Sequence, residues 1–107
     1  MMPKYLFQGS YTLEGTKGLL KDGGSKRRAV VEQMIKKAGG SVEAFYYAFG
    51  DNDLYLIVDM PDTVSGVAIS LLVNASGGFS GKTVVLLTPE EIDQATKKTV
   101  EYSSPGQ

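Results

Sequence analysis

The chain contains no cysteine and no histidine, and these two absences remove most familiar enzyme chemistries. Without cysteine there is no disulfide framework, no thiol nucleophile and no cysteine-ligated metal. Without histidine, zinc and non-haem iron sites lose their usual imidazole ligands, and a haem held by a proximal histidine is impossible. Serine–histidine hydrolysis goes too, with the side chain that most easily carries protons near neutrality. Any catalysis has to use carboxylates, tyrosines, lysines or a borrowed cofactor; no cofactor and no metal site are expected. An excess of positive charge is also missing. The net charge is −1, so nothing pulls the whole molecule toward nucleic acid. Long apolar runs are lacking as well. Residues 54–58 and 84–87 are far too short to span a bilayer, and no membrane partner is expected. The opening Met1-Met2-Pro3-Lys4 has no apolar signal region, so the expected location is cytoplasmic.

What is present is an ordinary globular composition. The chain has 107 residues, of which 42% are apolar, enough for one domain that buries about two-thirds of its unfolded surface. Residues 1–102 are expected to form that domain, with 103–107 a disordered tail. Residues 4–11 read as a strand with Leu6, Gln8 and Ser10 on one face and Tyr5, Phe7 and Tyr11 on the other. Four glycines in residues 12–24 suggest a loop with at most one helical turn near 17–21. Ser25 is the expected cap of a helix to Ala38, with Val30, Val31, Met34, Ile35 and Ala38 as its apolar stripe.

Residues 41–49 and 53–60 read as two strands joined at Asp51-Asn52, residues that tolerate the positive φ of a two-residue turn. In that register Phe49 faces Leu54 and Tyr47 faces Leu56. Phe45, Tyr47, Phe49, Leu54, Leu56 and Val58 then lie under helices; Ala44, Tyr46, Ala48, Tyr55, Ile57 and Asp59 take the opposite face. Asp62 is expected to cap a helix whose stripe is Val64, Val67, Ala68, Leu71, Leu72 and Ala75. A strand at 82–88 follows. Thr88-Pro89-Glu90-Glu91 then carries the signature of a capping box with proline at the first helical position.

The order βαββαβ plus a final helix implies an α+β, ferredoxin-like, four-stranded antiparallel sheet with both crossover helices on one face. Leu6, Tyr46, Tyr55 and Ile57 then form an apolar patch on the other face, most simply covered by the sheet of a second copy.

The run Glu43-Ala44-Phe45-Tyr46-Tyr47-Ala48-Phe49-Gly50-Asp51-Asn52-Asp53 resembles the GYD-domain family. So do Ile57-Val58-Asp59-Met60-Pro61-Asp62, the opening Pro3-Lys4-Tyr5-Leu6 with Ser10-Tyr11-Thr12, and the ending Leu86-Leu87-Thr88-Pro89-Glu90-Glu91. The resemblance runs to about Val100. It implies a dimeric α/β barrel, a superfamily of cofactor-independent monooxygenases, small isomerases, haem enzymes and ligand-sensing domains. It brings no activity with it, because fold does not decide function. Family members often carry an aromatic just before the last turn aspartate, where Asn52 stands here.

Three constellations are candidates for function. Asp51 and Asp53, with Gly50 and Asn52, form either a carboxylate pair at a pocket rim or simply a turn; as a calcium site they lack oxygen ligands. Gln8, Ser10, Tyr46, Tyr55 and Asp59 give a sheet face with the mixture of a ligand pocket, or of a dimer interface. In the pocket reading a tyrosine hydroxyl donates to a carbonyl or enolate, and Asp59 is a base if burial raises its pKa. Lys26-Arg27-Arg28 opens a helix at the end where the dipole disfavours cations. An anionic ligand would explain it, as would a solvated turn compensated by Asp22 and Glu32. The leading expectation is a homodimer binding an apolar or aromatic small molecule at the sheet face, between sheet and helices. Alternatives are a cofactor-independent monooxygenase or isomerase, and a structural or interaction module.

Overall fold

The computed structural model describes residues 2–107; Met1, the first residue of the expected domain, lies outside the described residues. The elements are β1 (Lys4–Tyr11), α1 (Leu13–Asp22), α2 (Gly24–Lys37), β2 (Ser41–Tyr47), β3 (Leu54–Asp59), α3 (Thr63–Ala75), β4 (Phe79–Leu86) and α4 (Pro89–Thr96). The strands form one sheet in the order β2-β3-β1-β4, antiparallel throughout. This is the expected α+β, ferredoxin-like arrangement. Its core is Tyr5, Ile35, Leu54, Leu56, Val58, Met60 and Ile69, so the helices α2 and α3 share one face of the sheet. That leaves Leu6, Gln8, Tyr46, Tyr55, Ile57 and Val84 on the uncovered face, because residues directly opposite in a ladder point the same way.

Five expectations need correction. Residues 13–22 are a helix rather than a loop. Thr12 caps it by accepting from the Gly15 amide at 3.2 Å, and Gly23, at φ +82°, ends it. Gly15 serves contact: a Cβ there would collide with the Gly78 carbonyl, and Thr12 N donates to that same oxygen at 3.1 Å. The second correction is the cap of α2. Gly23 occupies the position before the helix and no side chain caps it, because α1 runs directly into α2 and leaves Ser25 inside.

The third concerns the hairpin. Tyr47 faces Leu54 and Phe45 faces Leu56, two residues away from the expected register. The faces of the paired residues are preserved, but Phe49 leaves the sheet and is 81% exposed. Among the described residues no non-glycine residue has positive φ, so Asp51-Asn52 form no tight mirror-image turn. Asp53 is instead held by β1: its amide donates to Gly9 O at 2.8 Å and its carboxylate accepts from Tyr11 N at 3.0 Å. Anchoring Asp53 there opens the connection into a loop closed by Ala48 N to Asp53 O at 2.7 Å.

The fourth concerns α3. Asp62 caps it as expected, accepting from Ser65 N at 2.7 Å, but the helix presents its other side to the core. Gly66 and Ile69 are buried, while Val64, Leu71 and Leu72 are more than 60% exposed. The small residue decides the orientation. A Cβ at Gly66 would sit 3.3 Å from the Tyr5 ring, and Tyr5 OH donates to Thr63 Oγ1 at 2.9 Å. β4 also starts earlier than expected, at Phe79, because Ser80 and Phe79 pair with Ser10 and Tyr11. The capping box of α4 is complete: Thr88 N donates to Glu91 Oε1 at 2.9 Å and Glu91 N to Thr88 Oγ1 at 3.1 Å.

Candidate functional site

A cavity of about 330 Å³ lies between the covered face of the sheet and helices α1, α2 and α3. Its walls come from side chains that the fold points inward but does not press together. Phe7, Leu56, Val31, Met34, Ile69 and Val73 supply apolar surface from β1, β3, α2 and α3. An apolar cleft of this size, with few polar groups, has the character of a small-molecule site.

The polar groups collect where α1 meets α2. Asp22 and Arg27 both line the cavity, their charges 3.9 Å apart, and the same carboxylate lies 3.6 Å from Lys26 Nζ. Tyr47 OH donates to Gly24 O at 2.9 Å. Tyr11 lies against Phe79, ring centroids 5.2 Å apart at 75°. Burial pushes the Tyr11 phenol up to about 12; the neighbouring Tyr47 hydroxyl and Asp53 add to the rise, and Arg27 pulls against it. Tyr11 is therefore a neutral hydrogen-bond donor across the ordinary pH range. At the α3 end the Asn74 amide is already engaged, donating to Ser70 O at 2.8 Å and accepting from Gly81 N at 2.9 Å. Thr83 lines the wall too, and its Oγ1 is buried without a hydrogen-bond partner among the described residues.

The chain belongs to the GYD-domain family. The GYD domain model matches residues 5–96, which takes in every element from the first strand to α4. No curated protein and no solved structure shows significant similarity to the chain.

Within this GYD domain the residues singled out from sequence fall mainly on the uncovered face. Tyr46, Tyr55 and Gln8 form one row across β2, β3 and β1. Asn52 Nδ2 donates to Tyr55 OH at 3.2 Å, so Asn52 steers a tyrosine of that row. Tyr46 is 71% exposed. Asp59 is two rows away and its carboxylate meets Lys4 Nζ at 2.8 Å, with Glu43 at 3.2 Å from the same nitrogen. These hydrogen bonds, that of Asp59 first, raise the Lys4 ammonium above its ordinary value. Asp59 is thus engaged as a partner of Lys4. Ser10 Oγ donates to Asp51 O at 3.4 Å, which together with the bonds of Asp53 ties Gly50, Asp51, Asn52 and Asp53 to β1 as a docked loop.

The cavity residues Phe7, Tyr11, Val31, Met34, Val73 and Thr83 were not candidates on sequence grounds, because apolar residues at helical or strand spacing read simply as core. Arg27 was flagged by its place at the start of a helix. The other available signal was Phe7 and Tyr11 sharing one face of β1.

Proposed function

We propose that this GYD domain is a homodimer that binds an apolar or aromatic small molecule in the cavity between sheet and helices. The dimer is formed by the uncovered sheet faces. The observation that carries the binding reading is the cavity itself: about 330 Å³ with mainly apolar walls, and with Asp22 and Arg27 where α1 meets α2. A concave apolar cleft of this size, bounded by sheet and helices, is the kind of surface that small molecules occupy. The dimer reading rests on the uncovered face, where Leu6, Ile57 and Val84 form an apolar row beside Tyr46 and Tyr55. Tyrosine is enriched in interfaces for its amphipathic area. In this arrangement the two surfaces have separate roles, and the ligand sits on the far side of the sheet from the partner.

The binding reading is tested by mass spectrometry of small molecules that co-purify with the native protein, run beside a Val73→Phe variant that fills the cavity. A ligand retained by the wild type and lost from the folded variant is the expected result. Equal retention by both would place the ligand elsewhere and end this reading.

A further inference from the structure

We propose that the ligand of this cavity is an organic acid: an apolar body lodged among Phe7, Val31, Met34 and Val73, with one carboxylate held by Arg27. The assignment rests on the cavity reading above and adds to it the chemistry of the ligand's polar end.

The argument begins with the donors of Arg27. Its side chain is 36% exposed and lines the cavity. Its ionic partner Asp22 lies at 3.9 Å, beyond hydrogen-bond reach. No hydrogen bond from this guanidinium is found among the described residues. A planar fork of five donors, partly desolvated and unused, matches the geometry of a carboxylate. Asp22 is also shared with Lys26 at 3.6 Å, so its charge is divided between two cations.

The remaining polar groups around the cavity agree. Tyr11 is protonated, its hydroxyl beside that of Tyr47, while Tyr47 and Asn74 are committed to Gly24, Ser70 and Gly81. Arg27 also stands in the first turn of α2, where the helix dipole opposes a cation. Asp22, at 3.9 Å, offsets only part of that cost, and a bound anion would offset the rest. This separates function from folding. An Arg27→Gln variant is expected to fold at least as well as the wild type.

The probes are 2-naphthoate and 2-naphthamide, which share a ring system and differ in charge. Each is titrated into the full chain by calorimetry, with NMR of the Met34 methyl and the Val31 and Val73 methyls to place binding in the cavity. The acid is expected to bind about tenfold or more tighter than the amide, the range a charge-assisted hydrogen bond supplies. Arg27→Gln is expected to abolish that preference, and Arg27→Lys to keep only part of it by losing the fork. Arg28→Gln, on the exposed neighbour, keeps the full preference. If acid and amide bind the cavity equally, or Arg27→Gln retains the preference, the acid assignment is overturned while the cavity reading stands. If neither probe moves the cavity methyls, both are overturned for aromatic ligands.

Discussion

Replacing Thr83 by Val keeps the shape of the side chain and removes a hydroxyl that is buried without a partner among the described residues. An unsatisfied buried hydroxyl costs more than it returns, so Thr83→Val is expected to stabilise the free protein by about 1 kcal/mol. Urea unfolding measures this, and a loss of stability would mean that the hydroxyl finds a partner in solution. Tyr11 gives a second expectation, in pH. Its phenol is raised from 10.0 to about 12 in the folded state, so between those values the folded chain holds a proton that the unfolded chain has released. Stability is therefore complete below about pH 10 and falls as pH rises toward 12. Tyrosinate absorbance should show a late step that Tyr11→Phe removes; titration of all tyrosines together would contradict it. Asp62 behaves in the opposite sense. The Ser65 amide holds its carboxyl below the ordinary value, and the stability this cap contributes is lost as pH falls through that lowered range.

At the scale of elements, glycine divides what could be read in the sequence from what could not. Gly15 and Gly18 made 13–22 look like loop, yet the two do different things in α1. A Cβ at Gly15 would strike the Gly78 carbonyl, whereas one at Gly18 meets nothing within 4 Å. Gly18→Ala is expected to stabilise by about 0.5–1 kcal/mol through helix propensity, and Gly15→Ala to destabilise despite the same gain. Thermal melts of the pair check this, and two variants moving in the same direction would refute the contact argument. The strands, the Asp62 and Thr88 caps and the faces of the paired hairpin residues were legible because alternation and capping chemistry are local. The hairpin register was not, because Asp53 is fixed by Gly9 and Tyr11, more than forty positions away. Nor was the orientation of α3, whose two sides are both apolar and differ mainly in size. The cavity escaped for a related reason: pattern shows which residues turn inward, and not whether they meet.

The whole molecule is longer than a compact chain of its length. Its radius of gyration is 16.9 Å and its extents 57 × 33 × 22 Å, against about 13 Å expected for a sphere-like domain of this size. Among the described residues α4 packs closely on no other element, and residues 97–107 add no helix or strand. Light scattering coupled to size exclusion tests the proposed dimer. Wild type is expected at twice the chain mass, and Ile57→Lys, which sets a charge in the centre of the uncovered face, at the monomer mass. A monomeric wild type would refute the sheet-to-sheet dimer. The exposed side of α3 has a different consequence. No charged residue occurs between Asp62 and Lys82, so Val64, Leu71 and Leu72 face solvent with no ionic group among them. Any association through that side would be blind to electrostatic screening. Sulfate would strengthen it and added sodium chloride would not dissolve it, whereas a contact made through Lys4, Asp59 and Glu43 would loosen as salt rises.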